Sequence, residues 1–347
     1  MSSDRAKLRN DILIAGTVSG LFYGSALFAF VYLIPVQNLY GRRGRKAGLL
    51  GSALAVLIAA VCQIVRGLVT VQKTAWSGLF AGPALLAFAL PPCFFLALLA
   101  LMNLRFWDSK PAPARSFSVS ILASLLLIPA LAALEGDAGI RAYIEGYLAQ
   151  LSSALKGPMA EGYDSSVLKA MLDPKAMLDS TYQVLNSCYA ALILAFMAGS
   201  WWLGQRMAQK SAVRGSAAAQ AAAAGPEDGP AKPLEELRLP EYFVWPLIAS
   251  WAAVLGLVYL KTGDPYEAAA WNLALVFTCA YTAQGLGLFS FFLKRWNTPG
   301  WVKTCAAIAL VLAIATPPFG TALALVFPIL GVTEIWIPYR KLKGVGA

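Results

Sequence analysis

The sequence contains no histidine. That removes histidine metal sites, Ser-His and Cys-His nucleophile pairs and imidazole proton relays together. Charge is scarce as well. Asp, Glu, Lys and Arg make up 13% of the 347 residues, whereas 59% are hydrophobic; an average soluble domain carries roughly 25% charged residues. A chain this apolar cannot cover its surface in water, so an integral membrane protein is predicted. No Gly-x-x-x-x-Gly-Lys loop is present, which excludes ATP hydrolysis through that motif. The apolar runs lack the Asp pair of an aspartyl intramembrane protease, the mid-membrane Lys of a Ser-Lys type and the mid-membrane acids of an ion-driven transporter. No catalytic residue, metal site or cofactor is expected, and the chain is not read as an enzyme. Cys62, Cys93, Cys188, Cys279 and Cys305 all lie in apolar runs without a CxxC, as buried free thiols do.

What is present is a series of apolar segments, at about 12–40, 47–66, 77–104, 116–134, 181–204, 243–260, 267–293 and 304–338. A single crossing needs roughly 17–25 residues. The first and last runs are too long for one span and too short for two full ones. Arg5, Lys7 and Arg9 precede the first run, and Arg42, Arg43, Arg45 and Lys46 follow it. The positive-inside rule puts both flanks in the cytoplasm, so the run enters and returns, breaking near Ser25–Phe30. The last run is flanked by Lys294, Arg295 and Lys303 and by Arg340, Lys341 and Lys343, and it breaks at ATPPFG, residues 315–320. With these two short hairpins every remaining loop falls on a consistent side. The 67–76 loop, the 135–180 segment and KTGDPY (261–266) lie outside. The predicted fold is an all-α polytopic bundle of about ten membrane helices with both termini cytoplasmic.

The segment 135–180 carries seven acids against four bases, as an outer loop should. Ile140, Tyr143, Ile144, Tyr147, Leu148, Leu151 and Leu155 follow helical spacing within it, an amphipathic helix that either caps the bundle or lies on the outer surface. Residues 207–239 begin Ala-rich and become Gly- and Pro-rich, the composition of a flexible cytoplasmic linker. The chain therefore divides into an N-terminal membrane bundle (1–206), the linker (207–239) and a C-terminal membrane bundle (240–347).

LPEYFVWPLIASW (239–251), WNLALVFTCAYTAQGLGLFSFFLKRW (271–296) and LGVTEIWIPYRKL (330–342) resemble the YybS-like family of bacterial membrane proteins. In that family the last helix commonly ends in an acid followed by Asp-Phe-Arg; here Glu334 holds the acidic position and Pro338-Tyr339-Arg340 replaces the rest. The N-terminal part is similar to the substrate-binding S components of energy-coupling factor (ECF) vitamin transporters. The likeness lies in its small-residue first helix, the element IPVQNLYG, the basic loop GRRG and the third helix GLLGSALAVLIAAVCQ. This resemblance implies a bundle that binds a small molecule near its outer end and works with separate energising membrane and ATPase subunits. The other reading is a scaffold or assembly factor that recruits cytoplasmic partners. An enzyme acting on lipid-linked substrates is the third. The partners expected are membrane lipid and, on the first reading, a small-molecule ligand; nucleic acid is not expected, because the basic residues sit in short loops between helices.

Gln63, Gln183, Asn186, Trp271 and Asn272 come from three helices and, with this topology, share the outer third of the bilayer; Arg66 stands at the outer end of its run. These six are the candidate ligand-binding residues. Their alternatives are interhelical hydrogen bonding for the amides, snorkelling for Arg66 and, for Trp271 with Trp76 and Tyr182, an outer aromatic belt. Glu334 is within reach of Arg340 or Lys341 if the helix continues. Gly16, Gly20 and Gly24, four apart, give the first helix a flat face for close packing inside the protein or for docking a partner. The topology is checked with single cysteines at Arg43, Ser165 and Ala218 in a background lacking the native five. An impermeant thiol reagent on intact cells should label Ser165→Cys alone; labelling of Arg43→Cys would break the first hairpin.

Overall fold

The computed structural model of the chain describes residues 2–25, 28–70, 83–104, 106, 112–136, 138–159, 172–213, 233–261 and 264–341. Every regular element among them is helical: α1 (Ser2–Gly24), α2 (Leu33–Arg43), α3 (Arg45–Thr70), α4 (Pro83–Met102), α5 (Ala112–Gly136), α6 (Ala138–Met159), α7 (Pro174–Val213), α8 (Val244–Leu260), α9 (Asp264–Arg295), α10 (Gly300–Ala315) and α11 (Pro317–Thr333). Four stretches are long and apolar enough to cross a membrane: Arg45–Cys62, Pro174–Ser211, Glu241–Leu260 and Tyr266–Arg295. Shorter apolar helices cover Leu90–Met102, Ala114–Ile128, Gly300–Leu310 and Pro318–Thr333. In the Glu241–Leu260 stretch only 17% of the apolar window is buried, and Leu255, Tyr259 and Leu260 stand exposed. Water would not tolerate so large an apolar surface, whereas lipid does.

Contacts divide the chain into two units, residues 1–182 with 193–231 and residues 183–192 with 232–347. In the first unit α1 packs on α3 along its glycine face. Gly16 lies against Leu54, Gly20 against Ile58 and the Ala55 carbonyl, and Gly24 against Cys62. α1 stops at Gly24, the chain turns, and α2 starts at Leu33. Ser19 Oγ donates to the Tyr32 carbonyl at 2.6 Å across that turn. At the other end Arg43 Nε meets Asp11 at 2.7 Å, so the two ends of the first apolar run lie side by side. α6 is tied to the start of α7 by Arg141–Asp179 at 3.0 Å, and Ser152 Oγ donates to the Leu172 carbonyl at 2.6 Å.

Residues 207–213, read from composition as the start of the linker, continue α7 as helix. The reason is local: Ala208 is buried against Gly41 of α2, and an alanine-rich stretch extends a helix at little cost. The rest of the linker up to residue 232, the 71–82 stretch with Trp76, and residues 160–171 of the outer segment lie outside the described residues.

In the second unit α9 is the central element, with α8 and α11 packed on it. The second break falls at Thr316, whose backbone is extended, and Pro317 opens α11 where its missing N–H costs nothing. α9 and α11 cross at backbone contact. A methyl group on Gly285 would strike the Phe327 carbonyl, and one on Gly331 would strike the Tyr281 carbonyl. Backbone cannot move aside as a flexible side chain can, so Gly285→Ala and Gly331→Ala should each lower the melting temperature in detergent clearly. Gly20→Leu should do the same through overpacking, which costs about 1–3 kcal/mol. Gly199→Ala and Gly256→Ala, with open space at the added methyl, should melt unchanged or higher. Equal behaviour of the two groups would show that α9 and α11 do not cross there.

Candidate functional site

The amides expected to line an outer ligand site have different tasks. Asn272, on α9 and 6% exposed, accepts from the Ala190 N–H at 2.9 Å and donates to the carbonyls of Asn186 and Ala268. Ala190 N–H and Asn186 C=O are the pair that the i→i−4 ladder of α7 joins. Asn272 thus engages both partners of one rung, and its hydrogen-bonding capacity is spent on backbone. Asn186 enters this contact through its carbonyl. Gln183 is exposed. Trp271 packs edge-on against Trp251, ring centroids 5.6 Å apart, beside the small core of Val254, Ala270 and Ala274. The side chains of Gln63 and Arg66 on α3 lie outside the described residues. Of the candidates, the structure brings Asn186 and Asn272 together, with Trp271 beside Asn272 in sequence.

A denser polar cluster lies at the opposite end of α9. Gln284 is buried, 3% exposed. Its Oε1 accepts from the Leu239 N–H at 2.9 Å, and its Nε2 donates to the Gly331 carbonyl at 3.0 Å and to Glu334 Oε2 at 3.1 Å. Glu334 Oε1 faces Arg340 Nε at 3.2 Å, and the two side chains are 4% and 7% exposed. Arg340 Nη1 donates to the Leu237 carbonyl at 3.0 Å. The Glu334–Arg340 pair is not made along a helix. α11 ends at Thr333, and the chain turns through Pro338 to bring Arg340 back. Tyr339 pins the turn by donating to Thr333 Oγ1 at 3.3 Å and packing on Phe292. Burial lowers the Arg340 pKa and the Glu334 charge opposes that shift. A guanidinium remains cationic in a protein, so the pair is ionic.

Above this cluster opens a cleft of about 560 Å³, walled by Glu235, Arg238, Phe291, Lys294, Arg295 and Arg340 among others. Lys294 Nζ is bound to Glu235 at 2.6 Å. Arg238 reaches Glu334 at 3.9 Å with its side chain 48% exposed. Arg340 Nε and Glu334 Oε1 meet only as this ion pair, and Arg340 Nη2 is buried without a hydrogen-bond partner among the described residues.

Sequence reasoning reached Glu334 and Arg340 and missed Gln284 and Arg238. A signal for Gln284 existed, since TAQGLG places an amide and two glycines on one turn of an otherwise apolar helix.

Removing one partner of a buried ion pair costs about 3–5 kcal/mol, because the other charge is left uncompensated. Glu334→Leu and Arg340→Met should each destabilise the protein by an amount of that order, whereas the double variant should recover most of the loss. Unfolding in detergent of the four proteins completes the cycle. Strictly additive losses would show that the two charges are not coupled.

Residues 225–333 match the family model described as predicted membrane protein (DUF2232). The match spans α8 to α11, takes in Asn272, Gln284 and both crossing glycines, and stops one residue before Glu334. No curated protein and no solved structure matches the chain. The matched family and the apolar helices together make this a helical membrane protein.

Proposed function

We propose that the chain is a multi-pass, non-catalytic protein of the bacterial inner membrane, with both termini in the cytoplasm, that holds cytoplasmic partners against its membrane helices. One observation carries this reading: polar groups at one end of α9 and after α11 fasten the segment that leaves the linker. Leu239 N–H is held by Gln284, Leu237 C=O by Arg340, and Glu235 by Lys294. Three attachments over residues 235–239 fix the direction in which the linker leaves the membrane, as a scaffold presenting a cytoplasmic segment would need.

A second reading, the solute-binding subunit of a transporter with separate energising subunits, draws on the resemblance of the N-terminal part to ECF S components and of the C-terminal blocks to YybS-like proteins. Two features weigh against it. The glycine face that would dock the energising partner is filled by α3. Asn272, the best-buried of the expected ligand residues whose side chains are described, has its hydrogen bonds committed to backbone.

The readings separate on purification from native membrane in mild detergent, followed by mass spectrometry for co-purifying proteins and small molecules. On the scaffold reading, deleting residues 212–230 leaves the melting temperature unchanged and abolishes recovery of the partner. Recovery of an ATPase subunit and a bound solute, both surviving the deletion, would overturn it in favour of transport.

A further inference from the structure

The cleft above the Glu334–Arg340 pair has properties that linker attachment does not use. Among the described residues its walls and floor hold four cations, Arg238, Lys294, Arg295 and Arg340, and three carboxylates, Glu235, Glu236 and Glu334. Lys294 and Glu235 satisfy each other. The Arg340 side chain is buried; its Nε faces Glu334, and its Nη2 has no hydrogen-bond partner among the described residues. A buried donor left unmet is costly, and an acceptor arriving in the cleft would relieve that cost. Arg238 and Arg295 flank the opening on exposed side chains.

Position narrows the ligand. Trp245 at the start of α8, Trp296 after α9, Trp301 at the start of α10 and Trp336 after α11 are 66–71% exposed. In sequence all four stand within about seven residues of a residue that walls the cleft. Exposed tryptophans at helix ends mark the membrane–water interface, the depth at which lipid phosphates lie. Phe291 supplies an apolar wall on the same cleft. Planar guanidinium forks suit tetrahedral oxyanions better than ammonium groups do.

We propose that this cleft binds a phosphate group, with Arg238, Arg295 and the unmet Nη2 donor of Arg340 as its ligands, presented by an anionic phospholipid headgroup or as a free phosphate ester. The site requires only that these helix ends lie at an interface and holds for a scaffold or a transport subunit alike.

The test uses the full-length protein, delipidated in a neutral maltoside, with its melting temperature read against four probes: dioleoyl phosphatidylglycerol, dioleoylglycerol, glycerol 3-phosphate and inorganic phosphate. Phosphatidylglycerol should raise the melting temperature by about 4 °C or more at saturation, and dioleoylglycerol, with the same chains and no phosphate, should not. A shift with the soluble phosphates as large as with the lipid assigns the free ester as the source; a shift with the lipid alone assigns the headgroup. Arg340→Gln can fail to fold, so the deciding variant is Arg238→Gln/Arg295→Gln, at two exposed positions. It should weaken phosphate-dependent stabilisation at least tenfold in probe concentration, while Lys303→Gln, an exposed cation outside the cleft, keeps it. The proposal is overturned by equal shifts from phosphatidylglycerol and dioleoylglycerol, by no shift with any phosphate probe, or by a full response in the double variant.

Discussion

The second unit depends on the distance between two backbones. α9 and α11 approach until the side of one helix meets the carbonyls of the other, and this is possible because Gly285 and Gly331 carry no side chain. Close crossing at small residues is a principal way that helices associate in lipid, where no hydrophobic force drives them together. Its consequence here is positional. Gln284 precedes the crossing glycine on α9, so its amide is carried up to the Gly331 carbonyl and to Glu334 just past the end of α11. A wider crossing would put the glutamine out of reach of both.

Once Glu334 is held beside α9, its charge needs a partner, because an isolated buried carboxylate is too costly. Arg340 supplies it, and the turn at Pro338 with Tyr339 packed on Phe292 brings it there. The same guanidinium reaches the Leu237 carbonyl, and Gln284 reaches the Leu239 N–H. A packing decision between two membrane helices is thereby transmitted, through one amide and one ion pair, to the segment entering the membrane unit from the linker. Arg340 has five donors and the protein acceptors do not occupy them all, which is why the cluster ends in an open, basic cleft.

Much of the helical layout was legible in the sequence. The break after Gly24 and the break at Thr316 follow from loop charges and paired prolines, and the glycines at 16, 20 and 24 announced a close contact before its partner, α3, was known. The outer amides were harder. Sequence fixes a residue's depth along a membrane helix from its distance to the loops, but leaves its direction around the helix open unless a polar stripe repeats. The topology read from the sequence gives Gln183 and Asn272 one depth; in the structure Gln183 is exposed and Asn272 is buried against α7. The Glu334–Arg340 contact was legible as a pair and not as a geometry, since six residues apart is no helical neighbour and a turn had to close it. Gln284 went unread because a single amide in an apolar helix reads as interhelical packing until the neighbouring glycines are given a partner.

The same device appears in the first unit, within its own residues. Gln37 is fully buried and exchanges hydrogen bonds with Asn103, 3.3 Å in one direction and 2.8 Å in the other, while Arg45 Nε donates to the Asn103 carbonyl at 2.6 Å. A methyl group on Gly204 would press on Gln37, so here too a glycine lets a helix close over a buried amide. In both units an amide beside a glycine contact is linked to an arginine, Arg45 at the start of α3 and Arg340 in the turn after α11. In the first unit Arg45 Nε holds the Asn103 backbone carbonyl beside that amide pair. Arg340 faces Glu334, and a buried pair of opposite charges fixes orientation as well as proximity. In the second unit that pair stands where the incoming segment is held through Leu237 and Leu239, and it leaves Arg340 Nη2 as a donor still unmet.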